Sequence, residues 1–169
     1  NIAYGADFQR QMDDYVEIAD FTPGPIFWDV GGDRVRELLN QSMCGILLSN
    51  VEGCCFASAE YLACGLPVVS TRSLGGRAAF YDAYNAIVIE NSAEALRAAV
   101  EVMVGRLNRG EIDPQRIRAG FLRELEKHRR AWAQALSRLT GAPEAILFDH
   151  VRAAARSDSQ FRAITSRYV

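Results

Sequence analysis

The stretch "SNVEGCCFASAEYLACGLPVVST", Ser49 to Thr71, holds two carboxylates, Glu52 and Glu60, among small, apolar and sulfur-bearing residues. Just before it, "MCGILLS" is a continuous apolar run, which fits a strand buried on both faces. "NVEG" then reads as a loop, where Gly53 lets the backbone turn sharply and lets a ligand come close. "CFASAEYLAC" reads as a helix that starts near Cys54 or Cys55. Gly65 sits where a C-terminal cap is wanted, and Pro67 follows where a helix cannot continue. "PVVST" is the next buried strand. Strand, loop, helix, strand is the unit from which a parallel sheet is built.

The pattern repeats on both sides of that stretch. Upstream, "NIAYG" is a short strand, and "ADFQRQMDDYVEIADF" has helical spacing, with "YVEIA" as an alternative strand. "TPGP" is a turn, and "IFWDV" is a strand. "GGDRVRELLNQS" places Val35, Leu38 and Leu39 at helical spacing. Downstream, "RSLGGR" is a glycine turn and "AIVIE" a strand. "SAEALRAAVEVMV" is a helix with Ser92 as its N-cap. Residues 1–104 are therefore expected to form a Rossmann-like, doubly wound α/β domain with a parallel sheet covered on both sides. Residues 105–169 are expected to form a C-terminal helical extension. In it, "GRLNRGEIDP" reads as a polar linker, and Asp113 caps a helix with Pro114 at its first position. Ile117, Phe121, Leu125, Trp132, Leu136 and Leu139 make an amphipathic stripe over 114–139. Gly141 and Pro143 stop that helix, and "EAILFDHVRAAARS" is a last one. The tail "DSQFRAITSRYV" gives no clear pattern.

Composition narrows the function. The net charge is -2 and the only lysine is Lys127. The arginines of "RIRAGFLRELEKHRR" are interleaved with glutamates, as on a solvated helix face. Nothing here suits nucleic acid. The longest apolar runs fall well short of the roughly 20 residues of a membrane span. The chain opens on Asn1 without a signal pattern, so a fragment of a longer protein is expected. Cys44, Cys54, Cys55 and Cys64 form no C-x-x-C, and His128 and His150 lie far downstream. A zinc site is not expected, and reduced, buried thiols suit a cytoplasmic protein.

Folds of this class bind ligands at the carboxyl ends of their strands, beside helix N-termini. Glu52 lies at such an end. The first amides of the next helix have no partner within it and form a ready anion site. Glu60 lies further along; eight fully helical residues would span roughly 12 Å. A carboxylate suits vicinal hydroxyls. Acid, amide cluster, acid is the outline of a nucleotide sugar. The plainer alternative is a helix with one wet face. Against it, "ASAEYLACG" has almost no other charge, and a buried glutamate needs a partner or a ligand. Further candidates follow the same frame. Arg77 is placed to reach a phosphate or a facing lobe, or is a surface loop arginine. Trp28, within Phe27 to Val30, is a floor for a nucleobase or a core tryptophan. Ser49 is placed to touch base or ribose. Asn85 shapes a turn near the pyrophosphate or is a plain turn residue. His128, Glu144 and Asp149 read as ordinary surface groups. No paired aspartates suggest a metal, so metal-independent binding is expected.

"SNVEGCCFASAEYLACGLPVVSTRSLGGR" resembles the donor-binding, C-terminal lobe of a GT-B retaining glycosyltransferase of the group 1, family 4-like kind. That family carries Glu, seven residues, Glu, then an alanine-rich helix, a Cys-Gly or similar stop and a Pro-Val-Val strand. Glu52, Glu60 and "YLACGLPVVST" match it, and "YNAIVIE" resembles the strand near that domain's end. The resemblance extends over about Gly5 to Val104. It implies that Glu52 contacts the transferred sugar and Glu60 holds the ribose hydroxyls. The amides of Gly53, Cys54, Cys55 and Phe56 would hold pyrophosphate and sugar. It implies hexosyl transfer with retention, no cofactor besides the nucleotide-diphosphate sugar donor, and an acceptor bound by an N-terminal domain missing from this chain. Two positions depart from the family. Cys55 stands where a second glycine is usual. The Arg-x-Lys pair of the first loop is absent, with Arg10 a weak substitute, so the first strand–helix unit is expected to be missing too. The rival readings are a nucleotide-sugar epimerase of the same architecture and a non-catalytic binding lobe.

Overall fold

The computed structural model describes residues 31–52 and 55–157. The readings made for "NIAYG", "IFWDV", Arg10, Trp28, Gly53, Cys54 and the tail lie outside those residues. The described order is α1 (Gly32–Asn40), β1 (Gly45–Leu47), α2 (Phe56–Ala63), β2 (Val68–Thr71), a 3₁₀ turn (Arg77–Phe80), β3 (Ala86–Ile89), α3 (Ala93–Asn108), α4 (Pro114–Thr140) and α5 (Glu144–Ser157). This is a mixed α/β chain. Among the described residues its three strands are parallel in the order β1-β2-β3.

Side chains alternate across a strand, so the register sorts the core into two layers. Val68 pairs Gly45 on one side and Ala86 on the other. Val68 and Ala86 pack with Leu62 and Ala63 of α2 and with Ile112, Ile117 and Phe121 of the α4 region. The next residue, Val69, points the other way and packs with Ile89 and with Leu96, Ala99 and Met103 of α3. Both faces of the sheet thus carry helices, as expected for parallel strands. Leu62, Val68 and Val69 are fully buried. Each such side chain contributes roughly 1.5–3 kcal/mol by leaving water.

Helix ends follow their signals. Gly65 has φ +80 directly after Cys64, its amide bonds the Leu62 carbonyl, and the Leu66 amide bonds the Tyr61 carbonyl. That is a Schellman closure, which needs a left-handed residue and so favours glycine. Ser92 accepts from the Ala95 amide, and Asp113 accepts from the Gln115 amide behind Pro114. Gly141, at φ +72, ends α4.

Three expectations are corrected. First, β1 is not buried on both faces: Ile46 is 37% and Leu48 45% exposed. Among the described residues β1 is an edge strand, and the fully buried strand is the central β2. Second, α3 runs on to Asn108 through the start of the expected linker. Leu107 packs against both core layers and carries the helix that far. Third, the α4 stripe is displaced at its C-terminal half. Trp132 is 65% and Leu139 83% exposed, while Ala133 is fully buried. The buried positions Ile117, Phe121 and Ala133 follow a four-residue step from one helical turn to the next. Trp132 falls one place off that row.

Candidate functional site

Glu52 follows β1 by five residues, and two segments hold it. Its backbone is held by the loop after β2. The Glu52 amide donates to the Leu74 carbonyl (3.1 Å), the Leu74 amide donates to the Asn50 carbonyl (2.9 Å), and Val51 bridges Leu74 in parallel. The loop continues the sheet for one more pairing beyond the strands. Gly75 makes this possible. It has φ +149, and a Cβ there would lie 1.9 Å from the Glu52 carbonyl oxygen.

The Glu52 carboxylate is held by side chains. Oε1 accepts a hydrogen bond from the Ser49 hydroxyl and lies 3.3 Å from Arg77 Nη1. The Cys55 thiol also donates to the carboxylate. The bonds from Cys55 and Ser49, with the positive charge of Arg77 behind them, hold the Glu52 carboxyl below its usual range against the opposing effect of burial. The Cys55 thiol is pushed up, by burial first and then by its bond to Glu52. A thiol that keeps its proton is a donor rather than a nucleophile. Cys55 itself has φ -85 and ψ 88, at the N-cap of α2. A side chain is accommodated there without strain, so glycine is not required at this place.

Arg77 is not a surface loop arginine. Its side chain is 1% exposed. Nη1 donates to the Ser49 hydroxyl (2.7 Å), and Nη2 donates to the carbonyls of Ser49 (2.7 Å) and Thr71 (2.9 Å) and to the Thr71 hydroxyl (3.2 Å). Nε is left without a partner among the described residues. Behind the 3₁₀ turn that carries Arg77, Phe80 packs at 5.2 Å against Phe121 and at 5.2 Å against His128, both on α4. His128 is exposed, as expected.

Helix α2 begins at Phe56, one to two residues later than the sequence suggests. Phe56, Ala57 and Ser58 are its first three residues, whose amides have no carbonyl within the helix to bond. Below them the Ser58 hydroxyl and the Tyr81 hydroxyl are 2.8 Å apart. Glu60 lies one turn in, on a helix whose other residues are uncharged. Its carboxylate has no hydrogen bond or ion pair among the described residues, and burial pushes its pKa up. Asn85 is absorbed in its turn: it accepts from the Asp82 amide, donates to the Phe80 carbonyl, and its own amide bonds the Asp82 carboxylate.

The structure therefore brings Ser49, Glu52, Cys55 and Arg77 into one cluster beyond the strand ends. Phe56 and Glu60 stand on the adjoining helix. Sequence reading missed Thr71, Ser58, Tyr81 and the role of Gly75. Thr71 read as strand and Gly75 as one of two turn glycines, and only the three-dimensional closeness of Glu52 separates Gly75 from Gly76.

Residues 26–105, a little under half of the chain, match the family model described as Glycosyl transferases group 1. The match takes in the whole sheet and every described residue of the cluster. It points to glycosyltransferase activity. No curated protein and no solved structure matches the chain. No helix among the described residues is long and apolar enough to cross a membrane.

Proposed function

We propose that this chain is the donor-binding lobe of a retaining GT-B glycosyltransferase and holds a nucleotide-diphosphate sugar over the start of α2. The observation that carries this reading is the pair of glutamates flanking the N-terminus of α2. One sits in the loop beyond a parallel strand and the other one turn into the helix, within the segment similar to group 1 glycosyltransferases. Glu52, held ionised, presents a carboxylate to sugar hydroxyls. The amides from Gly53 to Phe56 receive the pyrophosphate, where the helix dipole favours negative charge. Glu60, without a hydrogen bond or ion pair to another described residue, receives the ribose hydroxyls. Trp28 remains a candidate for the nucleoside end, whereas the Ser49 hydroxyl stands with Glu52 and Arg77. In transfer the hexose leaves the diphosphate for an acceptor hydroxyl held by another domain. The same amides stabilise the charge on the departing diphosphate. Binding is proposed to need no metal.

Calorimetry tests this with UDP, GDP and ADP, each with and without an attached hexose, and with and without EDTA. At least one pair should bind, the sugar should add affinity, and EDTA should change nothing. Glu60→Ala should weaken the nucleotide alone by about tenfold or more, as expected for losing hydrogen bonds to a charged acceptor. Glu52→Ala should weaken mainly the part added by the sugar. If no member of the panel binds, the donor-lobe reading is wrong. Equal loss of nucleotide affinity from both substitutions would overturn the division of roles.

A further inference from the structure

We infer that Arg77 is a positioning residue: it joins the carboxyl ends of β1 and β2, sets the carboxylate of Glu52 against them, and reaches a ligand only through Glu52. The role for the ligand rests on the donor-binding reading above, whereas the role toward Glu52 does not.

The two faces of the guanidinium fork do different work. Nη2 takes the carbonyls of Ser49 and Thr71 together, with the Thr71 hydroxyl. These two residues lie just beyond β1 and at the end of β2, where parallel strands part and their carbonyls lose ladder partners. The Thr71 hydroxyl in turn donates to the Ser49 carbonyl (3.1 Å). Nη1 faces the other way, toward the Ser49 hydroxyl and Glu52. Its effect on Ser49 is directional. A serine hydroxyl has one proton; when its oxygen accepts from Arg77, that proton is left to be donated elsewhere. Here it goes to Glu52 Oε1. Arg77 thus acts on Glu52 directly by charge and indirectly by orienting Ser49. A lysine has one nitrogen and cannot span both sets of acceptors.

A direct grip on phosphate is excluded by the same geometry. Both terminal nitrogens are committed, and the side chain is 1% exposed. A phosphate in the crevice would have to displace two backbone carbonyls to reach the fork.

The test needs no ligand at its first step. The carbon-13 signal of the Glu52 carboxyl is assigned by its loss in Glu52→Gln and then titrated in wild type, Arg77→Met, Arg77→Lys and Ser49→Ala. Wild-type Glu52 should titrate below ordinary glutamates. Arg77→Met should move it upward, and Ser49→Ala should do so as well. Arg77→Lys should keep part of the wild-type value through its charge. Should Arg77→Met fail to fold, the lysine and alanine variants carry the test alone. In calorimetry with the nucleotide-sugar pair that binds best, Arg77→Met should lose about tenfold of the sugar-dependent affinity. The nucleotide alone should change less than about threefold, and adding Arg77→Met to Glu52→Gln should cost nothing further. A Glu52 titration unmoved by all three folded variants overturns the inference. So does a tenfold loss for the nucleotide alone in Arg77→Lys, which would mean direct phosphate contact. If no nucleotide binds at all, the donor reading fails, and the titration still decides the role of Arg77.

Discussion

Glu52 and Glu60 are the same residue eight positions apart, and their surroundings push them in opposite directions. Around Glu52 the protein supplies a thiol, a hydroxyl and a guanidinium, and the carboxyl is held below its usual range. Around Glu60 no described residue supplies a hydrogen bond or an opposite charge, and burial pushes the carboxyl up. The first acid is preorganised: its charge is stabilised and its direction fixed before any ligand arrives. The second has no hydrogen bond or ion pair to another described residue and is half-buried, and a ligand that donates hydrogen bonds to it offsets part of its desolvation. A site that needs one rigid contact and one contact that strengthens on binding has a use for both arrangements.

The largest test breaks the Glu52 side through the backbone. Gly75→Ala places a methyl 1.9 Å from the Glu52 carbonyl and at φ +149, so the loop carrying Glu52 must move. We expect a stability loss of about 2–4 kcal/mol, from strain and from broken pairing. The sugar-dependent affinity should fall with it. Gly76→Ala meets nothing within 4 Å and should stay within about 0.5 kcal/mol of wild type. Thermal unfolding of the two variants side by side checks this. Equal behaviour of the two would mean that Glu52 is not held as described.

The next test uses the sign of a stability change. Glu52→Gln gives up charged hydrogen bonds, and because that side chain is 25% exposed the loss should be about 1 kcal/mol rather than the full value of a buried pair. Glu60→Gln removes a charge that no described residue pairs. It should raise stability near neutral pH, by roughly a few tenths of a kcal/mol at a half-exposed position. The pH dependence follows the same division. Glu52 has a depressed pKa in the folded state. Its stabilisation is present above the ordinary carboxylate range and is lost as pH falls through the folded value. Glu60 has a raised one. Its contribution is full below the ordinary range and is lost as pH rises through the folded value. Nucleotide binding should therefore release a proton from Glu60 just below its folded pKa. Calorimetry in buffers of different ionisation enthalpy measures that release, and Glu60→Gln should abolish it.

Why one half of this contrast was readable and the other was not comes down to range. Glu60 was legible because its surroundings are local: "ASAEYLACG" is one helix, and its lack of charge is visible in the string. The caps at Ser92, Asp113 and Gly141 and the turn at Gly65 were legible for the same reason, since each satisfies amides or carbonyls within a few residues. Glu52 was legible as a strand-end acid but not as a held one. Its partners Arg77 and Leu74 are more than twenty residues away. They meet Glu52 only because β1 and β2 are neighbours in a parallel sheet. Arg77 had no sequence mark to separate it from a surface arginine. Its burial is a product of the sheet. Trp132 failed for a related reason. Its bulk suggests core, but the row that buries Ile117 and Phe121 continues to Ala133, one position away, and leaves Trp132 exposed.

The smallest expected effect concerns Cys55, the place where the chain departs from the pattern it resembles. A glycine there would leave the backbone free, and the φ of -85 shows that this freedom is not used. What the cysteine adds is its thiol, a weak donor that meets the Glu52 carboxylate. Cys55→Ser keeps a donor of similar size, so Glu52 should keep its low titration and the sugar-dependent affinity should stay within about threefold. Cys55→Gly removes the donor and loosens the start of α2, at a cost of up to about 1 kcal/mol. Glu52 should then titrate higher, while Arg77 and Ser49 continue to hold it in place. If Cys55→Gly instead improves binding of the nucleotide alone, the thiol obstructs the approach of the phosphates to the helix. Cys55 would then belong with the groups that limit the site rather than with those that fix Glu52.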